Sequence, residues 1–293
     1  MRKIIVAISL GIIALGLCSC RRDETTPAEV KEDLQQREVV FTASGKDYAV
    51  KSTDSGFDSG DVLGIFAPDM EKMNVRAVME GSKLVPDDPI RWEKDQKANS
   101  EFFAYYPYGE EVNASTHKFS TPADQTADDA FRAADLRTSH VSAAPLTTVA
   151  FTLSHRFSKI TFTFTGLQGG ETISSVLLKD LFTQVTVDLG TGGNGSLEGK
   201  ADVSAHKRTD AKFEAVLVPQ TYLNMEVKTS KGRTLRYTTY TPFQLESGCA
   251  YAAELGVPAS GEDTSAIGFY FSIVDWDNGG VISYGEPTEQ EGL

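Results

Sequence analysis

The fold class is indicated most clearly by one stretch, Val149-Ala150-Phe151-Thr152-Leu153-Ser154-His155-Arg156-Phe157-Ser158-Lys159-Ile160-Thr161-Phe162-Thr163-Phe164-Thr165. β-Branched and aromatic residues alternate here with threonine and serine, and a period of two residues is typical of a strand with one buried face. We predict two strands, at residues 149–153 and 159–165. Neither has the spacing of apolar residues that a helix would need.

The same short runs recur on both sides of this stretch, separated by Gly, Asp, Asn and Pro turn signals. The other predicted strands are residues 39–43, 62–67, 101–106, 175–178, 185–188, 213–218, 224–229, 234–240, 250–255 and 268–274. Residues 123–136 follow helical spacing only loosely and are interpreted as a short helix or an ordered loop. Many short strands at this spacing predict an all-β fold built of sandwiches or barrels.

The N-terminus has the pattern of an export signal. Two basic residues precede an apolar run, residues 4–17, which is shorter than the roughly 20 residues that span a bilayer. The segment Leu17-Cys18-Ser19-Cys20 resembles a bacterial lipobox, in which signal peptidase cuts before a cysteine that receives lipid. Cys20 fits better than Cys18, because small Ser19 precedes it. We therefore predict lipidation of Cys20; the alternative is an ordinary secreted protein with an incidental cysteine.

The chain is predicted to consist of four parts. Residues 1–19 form the lipoprotein signal peptide, and residues 20–37, which are polar and free of aromatics, form a flexible tether. A break near Pro145 divides the rest into an N-terminal β-sandwich domain, residues 38–145, and a C-terminal one, residues 146–293.

Charge and cysteine content limit the function classes. The formal net charge is -13, with 28 Lys and Arg against 41 Asp and Glu, which argues against nucleic acid as a partner. Once Cys18 is removed and Cys20 is acylated, Cys249 is the one cysteine left, so no intramolecular disulfide can form. We interpret Cys249 as a small buried residue at a turn entering a strand, rather than as a nucleophile.

No constellation carries a recognisable catalytic, cofactor or metal signature. The histidines are scattered, and His155 is interpreted as a core or hinge histidine with a satisfied hydrogen bond. Residues 275–286 match much of a calcium loop, but Gly279 stands where Asp or Asn is expected, so a hairpin turn is favoured. Carboxylate pairs such as Asp87-Asp88 are interpreted as solvated surface charge. The sequence thus predicts a protein that is not an enzyme.

Several segments, in their order and spacing, resemble the fimbrillin family of Bacteroidales, the lipoprotein subunits of type V pili. Besides the lipobox and tether, they are residues 39–43, 57–67, 102–108, Gln125 with 134–136, 149–160, 215–220, 245–251 and 274–280. The resemblance covers almost the whole chain after the signal peptide.

This resemblance implies two transthyretin-like β-sandwiches in tandem and export to the outer membrane as a lipoprotein, with palmitate on Cys20. It also implies that a protease cuts after a basic residue beyond the first strand, opening a groove that a strand of another subunit fills. Residues 39–43 would be the removable strand, and Lys51 the cleavage residue, where relatives often carry Arg. A cut at Arg37 would leave the strand attached. The donor strand would come from residues 268–274 or 281–284.

The leading hypothesis is a pilus subunit of the stalk, tip or anchor, with other pilus subunits as partners. The alternative is a monomeric surface-tethered lipoprotein that binds a glycan or a host protein; a hydrolase is the least favoured class. Trp92, Tyr105, Tyr106 and Trp276 would line a sugar platform in the alternative, although a buried aromatic core is the favoured interpretation of these residues.

Overall fold

The structure is a computed structural model that describes residues 37–45, 56–259, 266–274, 276 and 281–284. The predicted signal peptide, most of the tether, Cys20 and Lys51 lie outside these residues. The described part of the chain is nearly all β-structure, which confirms the all-β prediction.

The elements follow one another with short connections. In chain order the strands of the described residues are β1 (Phe41–Gly45), β2 (Val62–Ala67), β3 (Lys72–Glu80), β4 (Lys83–Pro86), β5 (Ser100–Tyr106), β6 (His117–Ser120), β7 (Arg137–Ala143), β8 (Val149–His155), β9 (Ser158–Thr165), β10 (Ile173–Val187), β11 (Asn194–Ser204), β12 (His206–Thr209), β13 (Lys212–Leu217), β14 (Thr221–Thr229), β15 (Thr234–Gln244), β16 (Ala250–Gly256), β17 (Ile267–Phe269), β18 (Ser272–Val274) and β19 (Val281–Tyr284). A short helix, α1 (Asp128–Ala133), precedes β7, and a 3-10 turn, Pro68–Met70, follows β2. No helix of the described residues is long and apolar enough to cross a membrane.

The first group of strands closes into a barrel in the order β1-β4-β3-β2-β5-β7-β8, with β1 and β8 meeting in parallel. Its interior is filled by alternate side chains of these strands, because successive residues of a strand point to opposite faces. Leu63, Trp92, Phe102 and Phe151 are among the buried members of this core.

The second group forms two sheets that face each other. One has the order β11-β10-β14-β15-β17 with β6 paired to β10, and the other has the order β12-β13-β9-β16-β18-β19. Aromatic residues of both sheets, including Phe162, Phe213, Tyr222 and Tyr251, meet in one buried core between them. This arrangement is a β-sandwich.

A third apolar cluster joins the barrel to the sandwich. Phe66 and Tyr105 of the barrel, Phe131 of α1, and Phe157 and Val185 of the sandwich are all buried in it. The change of partners occurs between β8, which pairs with barrel strands, and β9, which pairs with sandwich strands. The division into domains near Pro145 stays a prediction. Residues 149–155 form β8, which pairs with the barrel strands β1 and β7, although they follow the predicted boundary.

Three of the predicted strands are organised differently in the structure. Residues 175–178 and 185–188 belong to one long strand, β10, whose middle contains a register shift beside β11. Residues 268–274 do not form one strand: β17 joins β15 in one sheet, and β18 joins β16 in the other. The short helix within residues 123–136 is confirmed as α1.

Candidate functional site

β1 is inserted between two barrel strands and has hydrogen-bonding partners on both sides. It forms five residue pairs with β8 in parallel and two with β4 in antiparallel orientation. The pairing extends ahead of the strand, because the Val39 amide donates to the Ile90 carbonyl (2.8 Å) and the Trp92 amide to the Arg37 carbonyl (3.3 Å). Both edges of the groove are therefore satisfied by residues 37–45.

The side chains of β1 alternate between the barrel core and solvent. Phe41 and Ala43 are buried, whereas Val40 is 51% exposed. The Phe41 ring lies 5.9 Å from that of Phe151 in a stacked arrangement and 5.7 Å from that of Phe102, edge to face. Such aromatic pairs add to the stabilisation from burial alone. The groove thus has a specific aromatic pocket as well as two strand edges.

The chain is fixed again soon after β1. Arg132 of α1 binds Asp58 at 2.6 Å and Asp61 at 2.9 Å. Phe57 packs edge to face on Tyr106, with the ring centroids 5.3 Å apart. These contacts hold residues 56–61 to the body of the protein without any contribution from β1.

The two sequence-predicted site residues, Cys20 and Lys51, are not among the described residues. Lys51 nevertheless has a defined place along the chain, because it lies between the end of β1 at Gly45 and the anchored segment at residues 56–61. A cut after Lys51 would leave β1 held to the barrel by non-covalent contacts alone.

A buried ionic network lies where the barrel meets the sandwich. Asp135 accepts hydrogen bonds from Arg137 Nε (2.7 Å) and binds His155 Nδ1 (2.9 Å). Burial by itself raises the pKa of Asp135, but Arg137 and His155 outweigh it and hold that pKa well below its ordinary value. Trp276 stacks on His155 with centroids 4.0 Å apart, and the Lys159 ammonium donates to the Trp276 carbonyl. The interpretation of His155 as a core histidine with a satisfied partner is confirmed.

The aromatic candidates do not form an exposed sugar platform. Trp92, Tyr105 and Trp276 are buried and Tyr106 is half-buried; Tyr106 and Trp276 line the same small pocket beside Asp135. Cys249 is half-buried immediately before β16.

The predicted surface carboxylates are in exposed ion pairs, and the described residues hold no metal-binding cluster. Asp87 and Asp88 pair with Arg76 and Lys72 on the surface. No group of three or more His, Cys, Asp or Glu that would hold a metal occurs in the described residues. Most of the calcium-like stretch 275–286 lies outside them.

Comparison with known proteins places the chain in a family. The family model described as fimbrillin-like matches residues 50–276. The chain belongs to the fimbrillin-like family. The resemblance seen in the sequence is thereby confirmed for most of its length, while a search of curated proteins finds no match.

Solved structures share the fold of this fimbrillin-like chain. A proposed cell adhesion protein of Bacteroides ovatus has a TM-score of 0.64 at 16% identity, covering 82% of this chain and 96% of its own. A proposed cell adhesion protein of Bacteroides uniformis has a TM-score of 0.64 at 18% identity, covering 82% and 98%. A fimbrial protein of B. ovatus has a TM-score of 0.51 at 17% identity, covering 80% and 50%. At these identities the similarity concerns the fold.

Proposed function

We propose that this protein is a structural subunit of a surface pilus that assembles by strand exchange after proteolytic maturation of a lipoprotein precursor. Membership of the fimbrillin-like family supports the pilus role, as do solved neighbours described as cell adhesion and fimbrial proteins. The observation that carries strand exchange is the position of β1, which fills a groove between β4 and β8 close to the N-terminus.

Removing β1 would create a strong acceptor for another strand. The facing N–H and C=O groups of β4 and β8 would lose their partners, and the pocket of Phe102 and Phe151 would open to water. An incoming strand restores both the hydrogen bonds and the side-chain packing. A subunit that accepts a strand at one surface and donates one at another makes a heterologous contact, which can propagate into a filament.

Maturation couples this opening to release from the membrane. Lipid on Cys20 would tether the precursor to the outer membrane, and a protease cutting after Lys51 would detach the lipid and β1 together. A cut after Arg37 would separate the lipid but leave β1 in its groove. A single cut after Lys51 therefore has both effects; Lys46 shares this position beyond β1, and the family resemblance favours Lys51.

We expect the donor strand to come from the C-terminal part of the chain. Phe269 and Phe271 are buried in the sandwich core, so withdrawing β17 and its neighbours would uncover that core. Val281–Tyr284, in contrast, is an edge strand that within the described residues pairs with β18. Of the two predicted donor segments, we propose residues 281–284.

We further propose that the barrel and the sandwich correspond to the two tandem transthyretin-like domains of this family. The separate apolar cores of the two groups of strands support this division.

Trypsin treatment of the purified full chain tests the maturation step. We expect loss of a fragment ending at Lys51, a new N-terminus at Ser52, and then a ladder of oligomers that resists mild detergent, because the opened groove accepts a neighbouring strand. Mass spectrometry identifies the cut, and gel electrophoresis under mild detergent detects the ladder.

A matched pair of variants provides the control. Lys51→Gln should abolish the fragment that ends at Lys51, whereas Lys46→Gln should leave that fragment unchanged. Because both lysines lie between β1 and the anchored residues 56–61, a cut at either one frees β1, and the double variant should form no ladder. A chain that is cut at Lys51, loses β1 and stays monomeric would contradict strand exchange. A lipidated N-terminus on the mature surface form would indicate an anchor subunit.

A further inference from the structure

A cleft opens on the outer face of the sandwich where two paired strands separate. β10 and β14 form residue pairs as far as Leu178↔Met225. Farther along, the side-chain amide of Gln220 takes the place of a strand: the Phe182 amide donates to Gln220 Oε1, and Gln220 Nε2 donates to the Phe182 carbonyl, each at 2.8 Å. The two strands lie apart between these two points of contact.

Irregularities in both strands produce this opening. In β10 the register with β11 shifts between Leu178 and Leu181, and Asp180 adopts a left-handed conformation with φ of 55°. In β14 the register with β15 shifts between Tyr222 and Asn224. Bulges of this kind redirect side chains and are frequent beside functional sites. The resulting cleft has a volume of about 380 Å³, within the roughly 300–1,000 Å³ of small-molecule sites.

The charges that line the cleft are balanced. Lys200 lies 2.9 Å from Asp180, and Lys179 pairs with Asp202 beside it. Each ammonium group already has a carboxylate partner, so binding a free anion would compete with an existing ion pair. The same pairing leaves no excess negative charge for a cation. The cleft therefore favours an uncharged ligand.

Uncharged hydrogen-bonding groups and an apolar surface complete the lining. Asn224 is exposed and makes no side-chain hydrogen bond within the described residues. Gln244 accepts a hydrogen bond from Thr221 Oγ1 (3.2 Å) and donates one to a backbone carbonyl, which leaves one N–H for a ligand. Phe182 and Pro219 supply the apolar part. Amides beside an apolar surface match the hydroxyl groups and C–H faces of a sugar ring.

We propose that this cleft, formed by residues 179–182 and 219–221 with Leu197, Lys200, Asn224 and Gln244, binds a neutral carbohydrate. The cleft lies on the sandwich, whereas the groove of β1 lies in the barrel, so the two sites are separate. It also differs from the aromatic platform considered from the sequence, whose tryptophans are buried.

Saturation-transfer NMR on the full chain tests the proposal with free glucose, galactose, mannose and N-acetylglucosamine, and with glucose 6-phosphate as an anionic counterpart. We expect transfer to at least one neutral sugar and weaker transfer to glucose 6-phosphate than to glucose. Asn224→Trp should abolish the signal by filling the cleft. Asn99→Trp, on an exposed barrel loop away from the cleft, should leave it unchanged.

A second variant keeps the test decisive if Asn224→Trp does not fold. Gln244→Ala removes one amide from the opposite wall and should weaken sugar binding about fivefold, as expected for the loss of one hydrogen bond. The proposal is overturned if none of the four neutral sugars receives saturation. Binding that both variants leave intact, or a preference for glucose 6-phosphate that Asn224→Trp removes, also overturns it.

Discussion

Replacing Phe41 with alanine is expected to lower the free energy of unfolding of the barrel by about 3–5 kcal/mol, the range for large-to-small changes of buried phenylalanine. Phe41 is 2% exposed and packs against Phe151 of the neighbouring strand β8 and Phe102 of β5. The truncation removes its apolar surface and leaves a cavity that the rigid sheet can close only in part. Urea unfolding followed by the fluorescence of Trp92, which lies 5.7 Å from Phe102, reports on this core.

Val40 supplies the matched control, because it directly precedes Phe41 in the chain and its side chain is 51% exposed. Val40→Ala should change the free energy of unfolding by less than about 0.5 kcal/mol. Equal unfolding midpoints for the two variants would show that the side chains of β1 do not hold it in the barrel. If β1 is the strand lost on maturation, Phe41→Ala should also speed the appearance of oligomers after cleavage, since a weaker occupant leaves the groove sooner.

Much of the strand content follows from local pattern. The run of residues 62–67 is continuously apolar, and β2 has those bounds. By contrast, β11 is missed, since its sequence is polar and rich in glycine and its residues are mostly exposed at a sheet edge. Where neither face of a strand is buried, the sequence contains little signal. Burial of one face was also not always recognised, because β3 was not predicted although Val75, Ala77 and Met79 are buried.

The local sequence pattern does not show which distant strands pair with each other. Residues 268–274 have the composition of one strand, yet the chain changes sheets near Tyr270: β17 pairs with β15 and β18 with β16. The β1 strand was predicted at residues 39–43, but its place between β4 and β8 depends on partners far along the chain. The role proposed for β1 comes from the family resemblance and not from the alternation pattern.

The local sequence pattern also does not show which distant residues meet in the candidate sites. His155 was singled out from the sequence as a residue with a satisfied partner, but nothing local identified Asp135 and Trp276 as its neighbours. The cleft at Asp180 and Asn224 depends on two bulges in different strands that meet across one sheet. A local pattern gives no indication that two such irregularities coincide.

Replacing Asp135 with asparagine is expected to destabilise the protein by about 3–5 kcal/mol near neutral pH, the range for breaking a buried ion pair. Asp135 is 5% exposed and has Arg137 and His155 as partners, so the substitution removes the charge that faces both of these buried groups. The network lies between the barrel and the sandwich, and both groups of strands should lose support together. Urea unfolding monitored by circular dichroism measures the change.

The effect of Asp135→Asn on the free energy of unfolding is also expected to depend on pH. Because the pKa of Asp135 in the folded protein is well below the value of about 3.9 for an unfolded aspartate, the folded state binds fewer protons than the unfolded state in acid. The stabilisation from this carboxylate is present above that unfolded value and is lost as the pH falls toward the folded one. The difference in unfolding free energy between wild type and Asp135→Asn should therefore narrow from pH 5 to pH 3.

Asp88→Asn, which removes an exposed partner of Lys72, should produce a small and nearly pH-independent difference. A gap for Asp135→Asn that stays constant between these two pH values would contradict the depressed pKa and the buried network that causes it.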